Sequence, residues 1–179
     1  VIVPGLETDT EPESLTPPEI DLPGFDLLPM MAEYMPPSAI TLAWDHKIPL
    51  WSMSVLSHPR AIELLAGYQP DLICVSCFSR IIPPAVLALP RLGALNLHPA
   101  RLPRYRGPAP LFWQFRAGET DPGVTVHYMS EKLDAGDIVL QTGVTFPDGI
   151  DGPEAESICA EAGAALLTEA VARAARGDA

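Results

Sequence analysis

The chain has 179 residues, 47% of them apolar and 19% charged, which excludes wholesale disorder and suits one domain with its own core. Its 11 Lys and Arg stand against 23 Asp and Glu, a formal net charge of −12, and so acidic a chain is a poor partner for nucleic acid. Proline is high at 21, but 13 glycines without a triplet period exclude collagen, and no apolar run approaches the ~18–20 residues of a membrane span.

Taken in chain order, Val1–Val3 reads as a strand already in progress. The N-terminus has no basic flank, since the first lysine is Lys47, so no signal peptide is expected. Residues 4–37 are rich in proline, with seven carboxylates and no base between Glu7 and Asp26. They read as an irregular, acidic segment (1–37 in all), with the spacing of Leu27, Leu28 and Met31 allowing a short helix around Phe25–Tyr34. The regular core is expected over 38–179, the whole chain forming a single domain. A short helix is expected over 38–46, a strand at Ile48–Trp51, and a helix over Arg60–Ala66 ended by Gly67.

The apolar run Leu72–Phe78 reads as a central strand covered on both faces. Cys74 and Cys77 within it form a CxxC. Positions three apart on a strand face opposite ways, so the thiols diverge and read as small core residues. Cys159 stands alone on a helix. Three cysteines support no disulfide framework, and a reducing cytoplasm is the expected setting. Pro83-Pro84 opens a helix over Ala85–Leu89, and Leu92–Leu97 is the next strand. A basic, turn-rich segment, Pro99–Pro110, leads to a helix over Leu111–Ala117 stopped by Gly118. Strands follow at Gly123–Met129 and Asp137–Thr142. A final helix runs from about Pro153 to Arg176, with Glu154 and Glu156 in its first turn and Arg173 and Arg176 near its end, as the helix dipole favours. Ile158, Ala162, Leu166 and Ala170 form its apolar stripe, which Gly163 weakens by ~1 kcal/mol. Alternating strands and helices predict an α/β layered fold. Neither GxGxxG nor GxxxxGK[ST] occurs, so nucleotide binding of those kinds loses its support.

The stretch that carries chemistry is Leu95-Asn-Leu-His-Pro-Ala-Arg-Leu-Pro-Arg-Tyr-Arg-Gly107. Asn96 and His98, two apart on a strand, point to the same side, and Leu95 and Leu97 to the other. An amide that can donate to an oxyanion and an imidazole that can move a proton thus stand together at a strand's carboxyl end. On this strand alone, a locally satisfied asparagine and an ordinary capped histidine explain the pair better. The turn Leu133-Asp-Ala-Gly-Asp-Ile138 offers the carboxylate of Asp134, which by itself reads more readily as a turn aspartate bonding its own backbone. His46, His58 and His127 show no partner pattern.

Together these segments resemble the folate-dependent formyltransferases. The shared residues are Asn96-Leu-His-Pro99, Leu102-Pro-Arg-Tyr-Arg-Gly107, Gly123-Val-Thr-Val-His127 and Leu133-Asp-Ala-Gly-Asp-Ile138, with Ser79-Arg-Ile-Ile-Pro83 matching the family's pterin-side loop. The resemblance implies a Rossmann-like formyltransferase fold with a mostly parallel central sheet and helices on both faces. It implies N-formyl transfer from 10-formyltetrahydrofolate to an acceptor amine, without metal, in the cytoplasm and with a homodimer open. It maps the catalytic trio onto Asn96, His98 and Asp134. The pterin falls to the backbone of Arg80, Ile81 and Ile82, with Ser79 beside them and Ser130, Glu131 and Leu133 on the opposing loop. Leu102–Pro103 is expected to be cis by the same likeness. Arg101, Arg104 and Arg106 read either as contacts to an anionic acceptor, such as a sugar phosphate, or as solvated surface charges.

The run Arg104-Tyr-Arg-Gly-Pro-Ala-Pro110 is most like the methionyl-tRNA and nucleotide-sugar branch of the family. The family's opening strand and helix are missing before Val1, so the chain is expected to be N-terminally incomplete. Its acidic first half argues for a small anionic acceptor of sugar type over tRNA. Ala100 stands where many relatives carry Ser. The alternatives are a hydrolase that releases formate from the same donor, and a non-catalytic folate-binding module.

Overall fold

The computed structural model describes residues 2–4, 12–16 and 38–179. The helix expected around Phe25–Tyr34 lies outside the described residues. Two compact units divide the chain, Val1–Ala61 and Ile62–Ala179. In the first, β1 (Ile2–Pro4) pairs parallel with β3 (Trp51–Met53), and β2 (Glu13–Ser14) pairs antiparallel with the same strand. Helix α1 (Ala39–Asp45) begins at Ser38, whose hydroxyl accepts from the Thr41 N–H at 3.1 Å. The Trp44 indole donates to the Leu15 carbonyl at 3.0 Å. Helix α2 (Pro59–Gly67) spans the division between the units.

The second unit is built on a four-stranded sheet in the order β4 (Ile73–Ser76), β5 (Ala94–His98), β6 (Gly123–Tyr128) and β7 (Ile138–Gly143). Strands β4 and β5 are parallel and joined through α3 (Pro84–Leu87). The pairs β5–β6 and β6–β7 are antiparallel. The α/β layering is as expected, but this sheet is mixed instead of mostly parallel. The reason lies in chain length: Met129–Asp137 has too few residues for the crossover of about a dozen that a parallel β6–β7 pair needs. Strand β4 also ends this sheet's order instead of lying at its centre, and both Cys74 and Cys77 are exposed, not core residues. The apolar run that suggested a doubly covered strand is shorter as a strand than as a sequence, because Cys77 turns out of it with φ of 52°.

One face of the sheet is packed by α5 (Gly152–Arg176), capped by the Asp151 carboxylate accepting from the Glu154 N–H at 2.9 Å. Leu95, Val126 and Ala170 are fully buried there, with Leu97, Tyr128, Leu140, Leu166 and Val171 around them. The helix turns a slightly different stripe inward from the expected one: Ala155, Cys159, Gly163, Ala170 and Ala174 are its buried residues. These are small, so helix and sheet approach closely. Cys159 belongs to this seam, and burial, with Glu156 nearby, pushes its thiol up to about 11. Among the described residues no helix is long and apolar enough to cross a membrane.

The seam explains Gly163. A Cβ built there would stand 2.9 Å from Leu97 Cδ1 and closer still to Cδ2. Alanine would raise helix propensity by about 0.8–1.0 kcal/mol, but overpacking costs about 1–3 kcal/mol when the neighbour is itself packed. Gly163→Ala is therefore expected to lower the unfolding free energy by about 1 kcal/mol in urea denaturation, with Leu97→Ala relieving part of the loss in the double variant. A clear gain in stability would show that Leu97 swings aside freely.

Candidate active site

The opposite face of the same strands is polar. Asn96 and His98 leave β5 on the side away from Leu95 and Leu97, as the two-residue period requires. Antiparallel register places His127 opposite Asn96 and Thr125 opposite His98, so two further polar side chains share that face. The register of β6 against β7 shifts between Val126 and His127, a bulge-like irregularity at the edge of the site.

Two irregular segments fold over this face. The first is the turn 99–107. The Thr125 hydroxyl donates to the Ala100 carbonyl at 2.7 Å and accepts from the Leu102 N–H at 3.2 Å and from the Gln141 amide at 2.8 Å, while Gln141 also donates to the Leu102 carbonyl at 3.0 Å. Thr125 is fully buried, so its satisfied hydroxyl fixes the turn as firmly as packing would. Leu102–Pro103 within it is cis, as expected. Gln114, buried on α4 (Pro110–Ala117), donates to the Pro99 carbonyl at 2.8 Å and ties that helix to the same turn.

The second segment is the loop 129–137. It closes where the Tyr128 N–H donates to the Asp137 carbonyl at 2.8 Å. A Cβ at Gly136 would overlap the Tyr128 carbonyl oxygen, so the closure needs glycine there. Asp134 takes a left-handed conformation, with φ of 46°, and turns its carboxylate inward.

The carboxylate of Asp134 is the meeting point. Its Oδ2 accepts from the Gly107 N–H at 2.8 Å and lies 3.7 Å from His98 Nδ1. Its Oδ1 accepts from Asn96 Nδ2 at 3.4 Å and lies 3.6 Å from His127 Nε2. The side chains of Asp134, His98 and His127 are 9%, 6% and 2% exposed, so these contacts operate largely out of water. Gly107 reaches its place with φ of 95°, which glycine adopts without strain.

The hydrogen bonds assign the imidazole tautomers. His98 Nε2 is 2.8 Å from the Tyr105 carbonyl, which can only accept, so Nε2 carries the proton and the neutral ring leaves its Nδ1 lone pair beside Asp134. His127 is the reverse. Its Nδ1 donates to the Tyr128 carbonyl at 2.8 Å, leaving Nε2 to accept from Asn96 Nδ2 at 3.2 Å. Both amide hydrogens of Asn96 are thereby engaged, the one toward Asp134 at long range. Burial holds the His127 pKa below its ordinary value, against the opposing pull of its bond to Tyr128 and of Asp134, with His98 and Arg106 adding small lowering effects. His127 is the residue that sequence reasoning missed. Its signal was its place in Val124-Thr-Val-His127, where alternation sets Thr125 and His127 on one face, but their facing Asn96 and His98 follows from a strand register that the sequence does not display.

The other expected site residues are placed as follows. Ser79, Arg80, Ile81 and Ile82 leave β4 at the end where parallel pairing brings His98, since Ser76 stands opposite Leu97. Ile81 is 87% exposed and Ile82 buried. Ser130, Glu131 and Leu133 belong to the loop that carries Asp134, with Leu133 61% exposed. Arg101 pairs with Asp121 at 3.1 Å and runs its side chain over Gly123 and Gly143, where any Cβ would collide with it. Arg104 pairs with Glu119 at 2.8 Å and with Asp121 at 3.6 Å. Arg106 is exposed, without a carboxylate partner among the described residues, and lines a groove of about 440 Å³ with Tyr105, Trp113, Arg116 and Ala117.

The depressed His127 pKa has a consequence for stability. In the unfolded chain this histidine takes up a proton below about pH 6.5, whereas the folded protein resists it. Stability contributed by neutral His127 is therefore full above that value and declines as the pH falls through it, by at most about 1.4 kcal/mol per pH unit for one proton. Denaturant unfolding at pH 8, 6.5 and 5.5 should show a steeper fall for the wild type than for His127→Gln. Equal slopes would contradict the assignment.

Comparison with known proteins supplies the family. A family model described as formyl transferase matches residues 31–171. Over 145 residues the chain is 38% identical to a methionyl-tRNA formyltransferase of Synechococcus sp. (strain JA-3-3Ab), a match covering 80% of this chain and 45% of that protein. The chain thus spans less than half the length of the curated relatives it matches. Among solved structures, it is similar to phosphoribosylglycinamide formyltransferase from Streptococcus pneumoniae TIGR4, with a TM-score of 0.64, 25% identity, and coverage of 72% of this chain and 76% of the other. It is also similar to the formyltransferase PseJ from Anoxybacillus kamchatkensis, solved with UDP-4,6-dideoxy-4-formamido-L-AltNAc and tetrahydrofolate, with a TM-score of 0.55, 28% identity, and coverage of 60% and 57%. The matched span contains the whole polar face of the sheet and both segments that fold over it, and the chain belongs to the formyl transferase family.

Proposed function

We propose that this chain carries N-formyl transfer from 10-formyltetrahydrofolate to an amine, with Asn96, His98 and Asp134 as its catalytic groups. The observation that carries this reading is the convergence of a carboxylate, an imidazole with a free Nδ1 lone pair and a primary amide on one buried face, within a family of formyl transferases.

The donor supplies a formyl carbon bonded to nitrogen. Transfer forms a carbon–nitrogen bond to the acceptor amine and breaks the one to the donor. The amine loses a proton and the departing donor nitrogen gains one, so the site must take up charge on the formyl oxygen and move a proton. His98 Nδ1 is placed to take the proton of the attacking amine, and Asp134 Oδ2 stands beside the imidazolium that forms. Once charged, His98 joins the Asn96 amide as a donor to the formyl oxygen and then gives its Nδ1 proton to the departing donor nitrogen, which returns the ring to its neutral form. Asn96 is free for that task to the extent that it gives up its long 3.4 Å contact, and the Gly107 N–H keeps Asp134 partnered when it does. His127 holds the amide in place through its other hydrogen.

Donor binding falls to the loops 79–82 and 130–133. Their fit to a flat heterocycle rests on the exposed apolar side chains of Ile81 and Leu133, one on each loop, and on a backbone that Pro83 prevents from continuing as a strand. The acceptor in this reading is a small molecule carrying negative charge. The net charge of −12 disfavours a polyanion such as tRNA, while Arg106, without a carboxylate partner among the described residues, offers a guanidinium beside Tyr105, whose carbonyl meets His98.

Tetrahydrofolate formation from 10-formyltetrahydrofolate should depend on an added amine, and a panel of phosphate-bearing primary amines tests this. His98→Ala and Asp134→Asn should each lower kcat/KM by about 10²–10⁴-fold while leaving the unfolding midpoint near that of the wild type. Formate release without any amine would make the protein a hydrolase. Folate binding without turnover would make it a binding module. Loss of folding in both variants would assign these residues a structural role.

A further inference from the structure

The tautomer of His98 is a contest between two acceptors. The Tyr105 carbonyl stands 2.8 Å from Nε2 and the Asp134 carboxylate 3.7 Å from Nδ1. At equal distance a carboxylate is the stronger acceptor, so Nε2 keeps the proton only while the carbonyl stays near it. A neutral ring protonated on Nδ1 has no lone pair on that side for the proton of an attacking amine. The position of one backbone carbonyl therefore decides whether His98 can act as the base.

That carbonyl belongs to a residue in an unfavourable conformation. Tyr105 has φ of 57°, a left-handed backbone that a bulky residue keeps only where its surroundings hold it. What holds its side chain lies beyond helix α4. The phenol bonds to the Glu119 carboxylate, which pushes the hydroxyl pKa up. The Arg104 guanidinium lies 6.0 Å from the centre of the same ring. Glu119 gathers both residues. Its Oε2 accepts from Arg104 Nη1 at 2.8 Å and its Oε1 from the Asp121 N–H at 2.9 Å. The Asp121 N–H and the Tyr105 phenol together hold the Glu119 carboxyl below its ordinary range. An exposed ion pair contributes little, but the Glu119 side chain is only 8% exposed and meets a guanidinium, a backbone N–H and a phenol at once.

Resting on the formyl-transfer reading, we propose that Glu119 is a positioning residue for His98. Through the side chains of Arg104 and Tyr105 it fixes the left-handed turn at Tyr105, which keeps the carbonyl on Nε2 and the lone pair on Nδ1. It acts through Tyr105 and not on the reacting atoms. The same turn reaches the other member of the catalytic pair two residues later, where the Gly107 N–H donates to Asp134 Oδ2 at 2.8 Å.

Long-range 1H–15N spectra of the histidine rings, recorded at alkaline pH where the neutral ring is populated, read the tautomer without donor or acceptor. In Glu119→Ala the Nδ1-protonated form of His98 should come to dominate by about tenfold, the change that loss of a charge-assisted contact gives. With whichever amine of the panel supports turnover, kcat should fall by about the same factor while KM for 10-formyltetrahydrofolate stays unchanged. Tyr105→Phe, which removes only the phenol oxygen, should move both readouts in the same direction and by less. Gly163→Ala, which disturbs the seam on the other face of the sheet, should leave the His98 spectrum as in the wild type. The proposal is overturned if neutral His98 stays protonated on Nε2 in both Glu119→Ala and Tyr105→Phe, or if Gly163→Ala shifts the tautomer as far as they do. Should Glu119→Ala not fold, the spectrum of Tyr105→Phe decides alone. A shifted tautomer in a protein that transfers formyl to no amine removes the transfer reading and leaves the clamp on His98 standing. Formyl transfer with an unmoved tautomer does the reverse.

Discussion

A carboxylate that is 9% exposed must be met by donors, and the site is arranged around how Asp134 is met. The Gly107 N–H meets it from the turn 99–107 and the Asn96 amide from β5, with the rings of His98 and His127 at ion-pair distance. Strand β5, the turn that follows it and the loop 129–137 are thereby held to one point. Each has its own local device that makes this feasible: a positive φ at Gly107, a left-handed Asp134, and a Gly136 that lets the loop close against Tyr128. The Oδ2 that accepts from Gly107 serves position, a task that the amide oxygen of asparagine can take over, and the charge beside His98 serves the chemistry.

The second organising feature is the division of β5 into two faces. Leu95 and Leu97 are committed to the seam under α5, where Gly163 admits Leu97. Asn96 and His98 are thereby committed to the other side, and a one-residue slip would exchange them. Strand β6 repeats the division, with Val126 in the core and Thr125 and His127 on the polar face. Thr125 works there as a structural group, clamping the cis turn through Ala100, Leu102 and Gln141, and His127 as a positioning group behind Asn96.

Much of this was legible in the sequence because it is local. The helix stopped by Gly118, the long C-terminal helix with its charged ends, the strands, and the two-residue spacing of Asn96 and His98 all follow from short-range pattern. What was not legible depends on pairing. The mixed sheet follows from strand direction, which the alternation of strands and helices does not display and which the nine-residue connection Met129–Asp137 makes antiparallel for β6 and β7. Strand β4 has the composition of a buried strand but stands at the end of its sheet. His127 has no partner along the chain, since its partners arrive through register. The arginines divide by pairing too. Arg101 and Arg104 are neutralised by Asp121 and Glu119 from beyond α4, whereas Arg116, on the helix itself, joins Arg106 at the groove.

The account turns on one proton position: in the neutral ring, His98 is protonated on Nε2 and presents the Nδ1 lone pair beside Asp134. Long-range 1H–15N correlation spectra of the histidine rings read this directly, with His98→Ala and His127→Gln spectra giving the assignments. At neutral pH the account predicts that His127 is uncharged and protonated on Nδ1, and that His98, whenever neutral, is protonated on Nε2. A neutral His98 protonated on Nδ1, or a charged His127, would contradict it.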